Sequence, residues 1–322
     1  MRAAVVSQLS VPPVPREIPV PAPAPGQVLI QVEAAALNPV DLRIAAGGFR
    51  SGTPELPYVP GSEGVGTVVE GSHRLKGKRV RFQTSSRSQG ALAEWAVADR
   101  AACLNFPDEL SSPVAAGLGV AGVAAWICLV DKARLQRGER VLILGATGVV
   151  GQLAVQIARL LGAGRVVAAG RDQKALVRTL ELGADAVVAL TDQSVAELGA
   201  EFAVAAEGPV QVVFDPVWGV PLEAAVAAAA PSARIVNLGQ SAGDLATLSS
   251  QIVRGRQLVI LGHFNSGTSP KQQARAFREL ADHAARGRIQ LEVEEVPLEE
   301  VTAAWIRQAA SPHVKLVITP TA

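Results

Sequence analysis

The period of hydrophobic and polar positions changes along the chain. Up to about residue 110 the apolar residues come in short runs. Gln27–Glu33 and Gly64–Glu70 read as strands, and Lys78–Phe82 and Leu92–Val97 alternate between inside and outside positions. Prolines and glycines punctuate these runs, most densely from Val11 to Pro25, so an irregular β-rich region is predicted. From Leu135 the texture becomes strand, helix, strand. Val141–Leu144 is a β-branched and aliphatic run of the kind a buried parallel strand requires, and it passes directly into Gly145, Gly148 and Gly151. After Gly151, Leu153, Ile157, Leu160 and Leu161 recur at helical spacing, with Gln152, Gln156 and Arg159 on the opposite face. Further strands are predicted at Arg165–Ala169, Ala186–Leu190, Val210–Asp215, Ala233–Leu238 and Leu258–Leu261, with helices near 173–183, 194–203, 221–230 and 246–253. Such alternation specifies an α/β fold, a doubly wound parallel sheet with helices on both faces. Beyond residue 265 come a helix, Lys271–Arg286, the stretch Gln290–Val296, a helix near 298–309 and a final strand, Val314–Ile318. This tail is not another strand–helix unit, and its pattern leaves open whether it folds back on the N-terminal region.

The glycines at the strand-to-helix turn have a chemical reading. Without Cβ atoms they permit a tight turn, let a diphosphate approach the backbone and bring helix and strand together, while the helix N-terminus offers unpaired N–H groups to the anion. The strand before them, the helix after them and the second strand at Arg165 supply the βαβ context that a dinucleotide site needs.

Composition narrows the remaining possibilities. The chain has 322 residues, enough for about two domains. Apolar residues make up 49% and charged residues 18%, as in a compact α/β protein. Thirty basic residues against 29 acidic ones create no field for nucleic acid or an anionic membrane. Cys103 and Cys128 are too few and too far apart for a disulfide framework or a Cys-x-x-Cys metal site, which points to a reducing cytoplasm. Residues 1–10 lack the apolar run of a signal peptide. The uncharged stretch Pro113–Val130 approaches spanning length, but its glycines and its globular surroundings predict a buried segment, not a membrane span.

Taken with the glycine turn, Asn38-Pro-Val-Asp41, Pro60-Gly-Ser-Glu-Gly-Val-Gly66, Val120-Ala-Gly-Val-Ala-Ala-Trp126 and Gly138-Glu-Arg-Val-Leu-Ile-Leu-Gly145 resemble the medium-chain dehydrogenase/reductase superfamily, specifically its zinc-independent quinone oxidoreductase branch. The likeness runs to Lys315-Leu-Val-Ile-Thr-Pro320. It implies a discontinuous GroES-like catalytic domain, residues 1–118 and 265–322, with a Rossmann NADPH-binding domain, residues 119–264, inserted in it. It further implies an active site in the cleft between them, a small-molecule substrate and a homodimer or homotetramer.

Where zinc-dependent relatives hold the catalytic metal with thiolate, imidazole or carboxylate, the resemblance places Asn38, Ser62 and Val120, an amide, a hydroxyl and an isopropyl group that do not suit Zn²⁺. The cysteine-rich structural zinc loop has no counterpart, since residues 83–102 contain no cysteine. No metal is expected. Hydrogen bonds must then polarise the substrate oxygen, which suits quinones, enones and enoyl thioesters better than unactivated alcohols. Asn38 and Ser62 are expected near that oxygen, although Asn38 before Pro39 also suits a turn. Asp41 would orient Asn38 or a water, or stand as a solvated turn acid. Tyr58, the only tyrosine, is the available phenolic donor or a half-buried packing ring. No dedicated proton donor stands out.

NAD-binding members place an acid at the end of the second strand; here Gly170 stands there and Arg171 follows. An acid would repel a 2′-phosphate, whereas glycine leaves room and arginine offers a forked donor, so NADPH is expected over NADH. Lys174 matches the lysine of the quinone reductase pattern, and Asp172 opposes the assignment. Gly145, Ala146, Thr147, Gly148, Val149, Val150 and Gly151 would take the diphosphate. Pro216, Leu238, Gly239, Ser241, His263 and Phe264, at later strand ends, would line the nicotinamide side together with Ala124, which replaces a threonine of relatives. A lone histidine after a strand, such as His263, is also commonly structural. The expected activity is NADPH-dependent reduction of a quinone or an α,β-unsaturated carbonyl. The alternatives are a pathway-dedicated enoyl reductase or reductive cyclase, and a non-catalytic NADPH-binding protein. The loops 45–60, 83–92 and 240–270 would shape the substrate pocket.

Overall fold

Strand by strand, the N-terminal β-rich pattern assembles around one long segment, Gln27–Ala36. The computed structural model describes residues 1–48, 52–84 and 89–320, so parts of the loops 45–60 and 83–92 lie outside the described residues. The N-terminal strands are β1 (Arg2–Val5), β2 (Val14–Glu17), β3 (Gln27–Ala36), β4 (Glu63–Glu70), β5 (Arg79–Gln83) and β6 (Trp95–Asp99). The second unit contributes β7 (Arg140–Ile143), β8 (Arg165–Gly170), β9 (Ala186–Ala189), β10 (Val210–Asp215), β11 (Ala229–Asn237) and β12 (Val259–Gly262), and the tail adds β13 (Val293–Pro297) and β14 (Lys315–Thr319). The helices are α1 (Pro39–Ala45), α2 (Ser112–Gly117), α3 (Val120–Trp126), α4 (Val149–Leu160), α5 (Gln173–Glu181), α6 (Val195–Ala205), α7 (Gly219–Ala228), α8 (Ser250–Gly255), α9 (Pro270–Ala285) and α10 (Val301–Ala309).

Two units result. One comprises Met1–Val120, Phe277–Ala285 and Leu291–Ala322, and the other Ala121–Ala276 with Arg286–Gln290. The chain passes from one to the other at residue 276, later than the expected 264. Arg275 ties the intervening turn to the second unit by pairing with Asp131, and within the turn Gln273 Nε2 donates to the Asn265 and Thr268 carbonyls, at 2.9 and 3.0 Å.

In the first unit the sheet order is β13-β14-β3-β4-β5, with β6 on β3. The tail therefore returns to the N-terminal strands: β14 lies antiparallel to β3, with Val317 opposite Ala36. Ile30, Val32, Val68, Phe82, Leu316 and Ile318 form its core with Leu298 and Trp305. Strands β1 and β2 pair in short antiparallel register, and Ala3 of β1 also bridges Ala93; only β2 lies in the Pro-rich stretch, where Pro15 interrupts the pattern.

The second unit is a six-stranded parallel sheet in the order β12-β11-β10-β7-β8-β9. Leu142, Val167, Val213 and Ile235 meet Leu198, Phe202 and Leu222 of α6 and α7 on one face. The alternate residues Val141, Ile143, Val166 and Val212 are buried too, so both faces are covered, which explains the continuous apolar runs. Helix α4 departs from expectation. Its supposed polar face is buried: Gln152 donates to the Thr147 carbonyl at 2.8 Å, and Gln156 exchanges two hydrogen bonds with the Gln290 backbone, at 2.8 and 2.7 Å. Amides serve there because each buried donor and acceptor finds a backbone partner. Pro113–Val130 is divided among α2, α3 and a π-helical turn, Ile127–Lys132. Among the described residues no helix is long and apolar enough to cross a membrane.

Candidate functional site

The glycine turn lies at the carboxyl end of β7, where the strand order reverses between β7 and β10. Such a switch point is where an open parallel sheet presents a crevice to its ligand. Gly145 adopts φ +58°, and a Cβ there would stand 2.9 Å from Val217 Cγ1 and 3.1 Å from Pro216 Cγ, so only glycine lets the turn pass the loop after β10. A Cβ on Gly151 would run into the Gly145 carbonyl and lie 2.6 Å from Ala146 Cα. Gly148, by contrast, meets only the Gly145 carbonyl oxygen, at an ordinary 3.5 Å. It is the N-cap of α4 and brings no capping side chain, so the first-turn N–H groups of Val149, Val150 and Gly151 face outward as donors. That cradle fits a diphosphate.

The remaining strand-end residues gather around the turn. Gly170 ends β8, and a Cβ on it would come 2.6 Å from Thr147 Cγ2; its glycine is needed for packing on the turn as much as for space beyond it. Arg171 and Lys174 are both exposed. Asp172 caps α5, its carboxylate accepting from Ala175 N–H at 2.8 Å, so its charge is engaged with the helix N-terminus. Asp215 is fully buried and holds the loop ends: it accepts from Val217 and Trp218 N–H at 3.0 and 2.8 Å and from Asn237 Nδ2 at 2.9 Å. Burial raises its carboxyl above the usual range. Asn237 Nδ2 also reaches the Gly239 carbonyl at 2.7 Å, and a Cβ on Gly239 would strike the Pro216 carbonyl, so Pro216, Leu238 and Gly239 are fixed as one surface. Ser241 is exposed on the turn that follows. His263 follows β12, its Nε2 lies 2.7 Å from Asn265 Oδ1, and its Nδ1 is buried without a partner among the described residues. Burial lowers its pKa, which keeps the ring neutral at pH 7. Phe264 follows it, half-buried. Ala124 is buried within α3.

The first unit contains a buried polar cluster. Asn38 caps α1 with Pro39 at the first helical position, and Asp41 two residues later accepts the Asn38 backbone N–H at 2.9 Å. The turn that Asn38-Pro39 also suited is therefore a helix start. Asn38 is 1% exposed and its amide is fully engaged: Nδ2 donates to the Ala36 carbonyl at 3.1 Å and to Glu63 Oε1 at 3.0 Å, while Oδ1 accepts from Lys315 Nζ at 2.6 Å. Lys315 also donates to the Leu37 carbonyl at 3.0 Å. Glu63 pairs with Arg81 at 2.7 Å and accepts the Val120 N–H at 2.8 Å. Ser62 donates to Asp41 Oδ1 through both N and Oγ, at 2.9 and 2.6 Å. Burial pushes the Asp41 carboxyl up to about 6, against the lowering effect of its Ser62 and Asn38 hydrogen bonds and of Lys315. Burial also lowers the Lys315 ammonium, against Glu63 and Asp41. Tyr58 is buried, its hydroxyl has no hydrogen-bond partner among the described residues, and desolvation followed by the Asp41 charge raises its phenol. Asn38, Asp41 and Ser62 are thus brought into direct contact, and Tyr58 within reach of the Asp41 field. Glu63, Arg81 and Lys315 are members that sequence reasoning missed. The signal available was a lysine opening an otherwise apolar strand and an arginine at an alternating strand position that is in fact buried.

The description "Alcohol dehydrogenase GroES-like domain" matches residues 24–136 and "Zinc-binding dehydrogenase" matches residues 149–284. A quinone oxidoreductase of Pongo abelii is 37% identical over 159 residues, 49% of this chain and 48% of that protein. The chain spans about half the length of the curated relatives it matches. Among solved structures, an NAD-dependent alcohol dehydrogenase superposes with a TM-score of 0.88 at 27% identity, covering 100% of both chains. Mycobacterial Rv1454c complexed with NADPH gives 0.87 at 24% identity, covering 99% of this chain and 100% of that one, a likeness of fold. The zinc of the second description does not fit the residues here. The Asn38 amide is spent on Lys315, Glu63 and Ala36, Ser62 offers a neutral hydroxyl, and Val120 offers no donor atom. Among the described residues no group of three or more His, Cys, Asp or Glu is arranged to hold a metal.

Proposed function

Since the chain belongs to the medium-chain dehydrogenase/reductase superfamily, in its quinone oxidoreductase branch, we propose that it carries hydride from NADPH to a quinone or an α,β-unsaturated carbonyl without a metal. What supports this reading most is that Asn38 and Ser62, which by resemblance stand where relatives hold a metal, are here hydrogen-bonded to Glu63 and Asp41. Without a Lewis acid, an unactivated alcohol has no means of spreading charge onto its oxygen, whereas a quinone or enone is already electron-poor.

When bound, NADPH supplies the hydride from its nicotinamide ring. The N–H groups of Val149, Val150 and Gly151 hold its diphosphate, with Gly145, Ala146, Thr147 and Gly148 shaping the turn. Arg171 and Lys174 meet the 2′-phosphate beside Gly170. Pro216, Leu238, Gly239, Ser241, His263, Phe264 and Ala124 line the nicotinamide. In this reading Asn38 is an anchor, since both of its N–H donors are committed, and Tyr58 and Ser62 are the hydroxyls that serve the acceptor oxygen. Arg171→Ala is expected to weaken NADPH about tenfold or more and leave NADH unchanged in fluorescence titrations, because only the former carries the charge that the guanidinium meets. Equal loss for both coenzymes would remove the assignment.

A homodimer belongs to the same reading. Strand β12 ends the parallel sheet, and Val259 and Ile260 on it are 41% and 40% exposed, a self-complementary edge for a second copy. A monomer in sedimentation equilibrium would eliminate it. The activity is tested by mixing the NADPH complex with a panel of quinones and enones after treatment with a chelator. Oxidation of NADPH at an unchanged rate is expected. Nicotinamide absorbance that persists with every acceptor would instead identify a non-catalytic NADPH-binding protein.

A further inference from the structure

Reduction needs a proton as well as a hydride, and among the described residues the polar cluster of the first unit reaches the outside at Ser62. Asn38, Asp41, Glu63, Arg81 and Lys315 are each no more than 2% exposed, whereas Ser62 is only half-buried. The Ser62 hydroxyl touches Asp41 Oδ1 at 2.6 Å, so one rotor joins a buried carboxyl to the outside. We propose that Asp41 and Ser62 form the proton-delivery path of the reductase, with Ser62 Oγ giving the proton to the reduced acceptor and Asp41 replenishing it. This rests on the reductase reading above.

A C–H bond of the dihydronicotinamide would break as a C–H bond forms at the electrophilic carbon, the π pair moving to the carbonyl oxygen, so that the coenzyme is oxidised and the acceptor reduced by two electrons. The Ser62 O–H bond then breaks as its proton passes to that oxygen. The serine oxygen takes the Asp41 carboxyl proton, and solvent reprotonates the carboxylate. Asp41 is suited to hold that proton near neutrality. Burial raises its carboxyl to about 6, so the acid form is appreciably populated close to the operating pH, as general acid catalysis requires.

The groups facing Asp41 set that balance. The Ser62 hydroxyl before β4 and the Asn38 N–H at the cap of α1 favour the carboxylate, as does Lys315 on β14. Glu63 on β4 opposes it, and its own charge is matched by Arg81 on β5. The Tyr58 hydroxyl feels Asp41 but stays protonated, its phenol being raised by burial and by that carboxylate. Asp41 acts through Ser62 and is a positioning and relay residue, not one that touches the acceptor.

Single-turnover reduction of a quinone by the NADPH complex tests the path. In the wild type the rate should fall about tenfold per pH unit above the Asp41 transition, since only the acid form donates. Ser62→Ala should slow the step by about 10²–10⁴-fold, the usual worth of a positioned acid, and flatten the profile. NADPH affinity and melting temperature serve as folding controls. Ser62→Thr, which keeps a hydroxyl, should restore both rate and profile. A Ser62→Ala protein with the wild-type profile would overturn the relay while leaving the reductase reading intact. A wild type that oxidises no NADPH with any acceptor would overturn both.

Discussion

Replacing Glu63 by alanine should cost about 3–5 kcal/mol of stability, the usual penalty for breaking a buried ion pair from one side. Glu63 is fully buried and receives the Arg81 guanidinium, the Val120 N–H and the Asn38 amide. The carboxylate sits so close to the chain that a Cβ on Gly119 would collide with it. Its removal leaves Arg81 as a buried cation without its carboxylate, and Lys315 with Asp41 as the acid that still acts on it. Urea unfolding would show the loss, which is a large fraction of the about 5–15 kcal/mol that holds a typical domain. Glu63→Gln combined with Arg81→Met should recover most of it, because the unpaired charge is then gone as well. A single variant within about 1 kcal/mol of wild type would contradict this account of the cluster.

The second large effect is at the glycine turn, where two neighbouring glycines should respond differently. Alanine ordinarily stabilises a helix interior over glycine by about 1 kcal/mol. At Gly151 the sign reverses, because the added methyl meets the backbone of Gly145 and Ala146, which cannot rotate away. Gly151→Ala should lose about 1–3 kcal/mol of stability and NADPH affinity with it. Gly148→Ala has only an ordinary contact to make. It should melt like the wild type yet bind NADPH at least about tenfold more weakly, because its methyl occupies the approach of the diphosphate. Equal melting and equal binding in both variants would deny the turn its role.

The second unit was legible because each of its signals is local. The buried strand, the glycines and the change to helical period occur within twenty positions or so of one another, and parallel strands leave continuous apolar runs. Errors there came from burial on both sides: Gln152 and Gln156 marked a polar face by pattern, yet α4 is covered all round and their amides satisfy backbone groups. The polar cluster was only half legible. Asn38, Asp41 and Ser62 lie in short motifs, whereas Lys315 reaches Asn38 across 277 positions and Arg81 reaches Glu63 across 18. No period shows which distant charge a buried amide will meet. Alternation also assigned Arg81 to the solvent side, because a charged residue in a strand counts as outward unless its partner is known. Helix α1 went unread for a related reason: Asn38-Pro39 suits a turn and a helix start equally, and the capping Asp41 decides between them only in three dimensions.

The return of β14 to β3 also has a consequence for synthesis on the ribosome. Its pairing partners, Ala35 and Ala36, emerge early, and the strand that completes them emerges after the whole of Ala121–Ala276. The inserted parallel sheet is continuous enough to form first, as nascent domains do. Throughout that interval β3 offers a bare edge at Ala35 and Ala36, and Asn38 waits for its lysine, so the nascent first sheet is the part of this molecule most exposed to mispairing and to capture by chaperones.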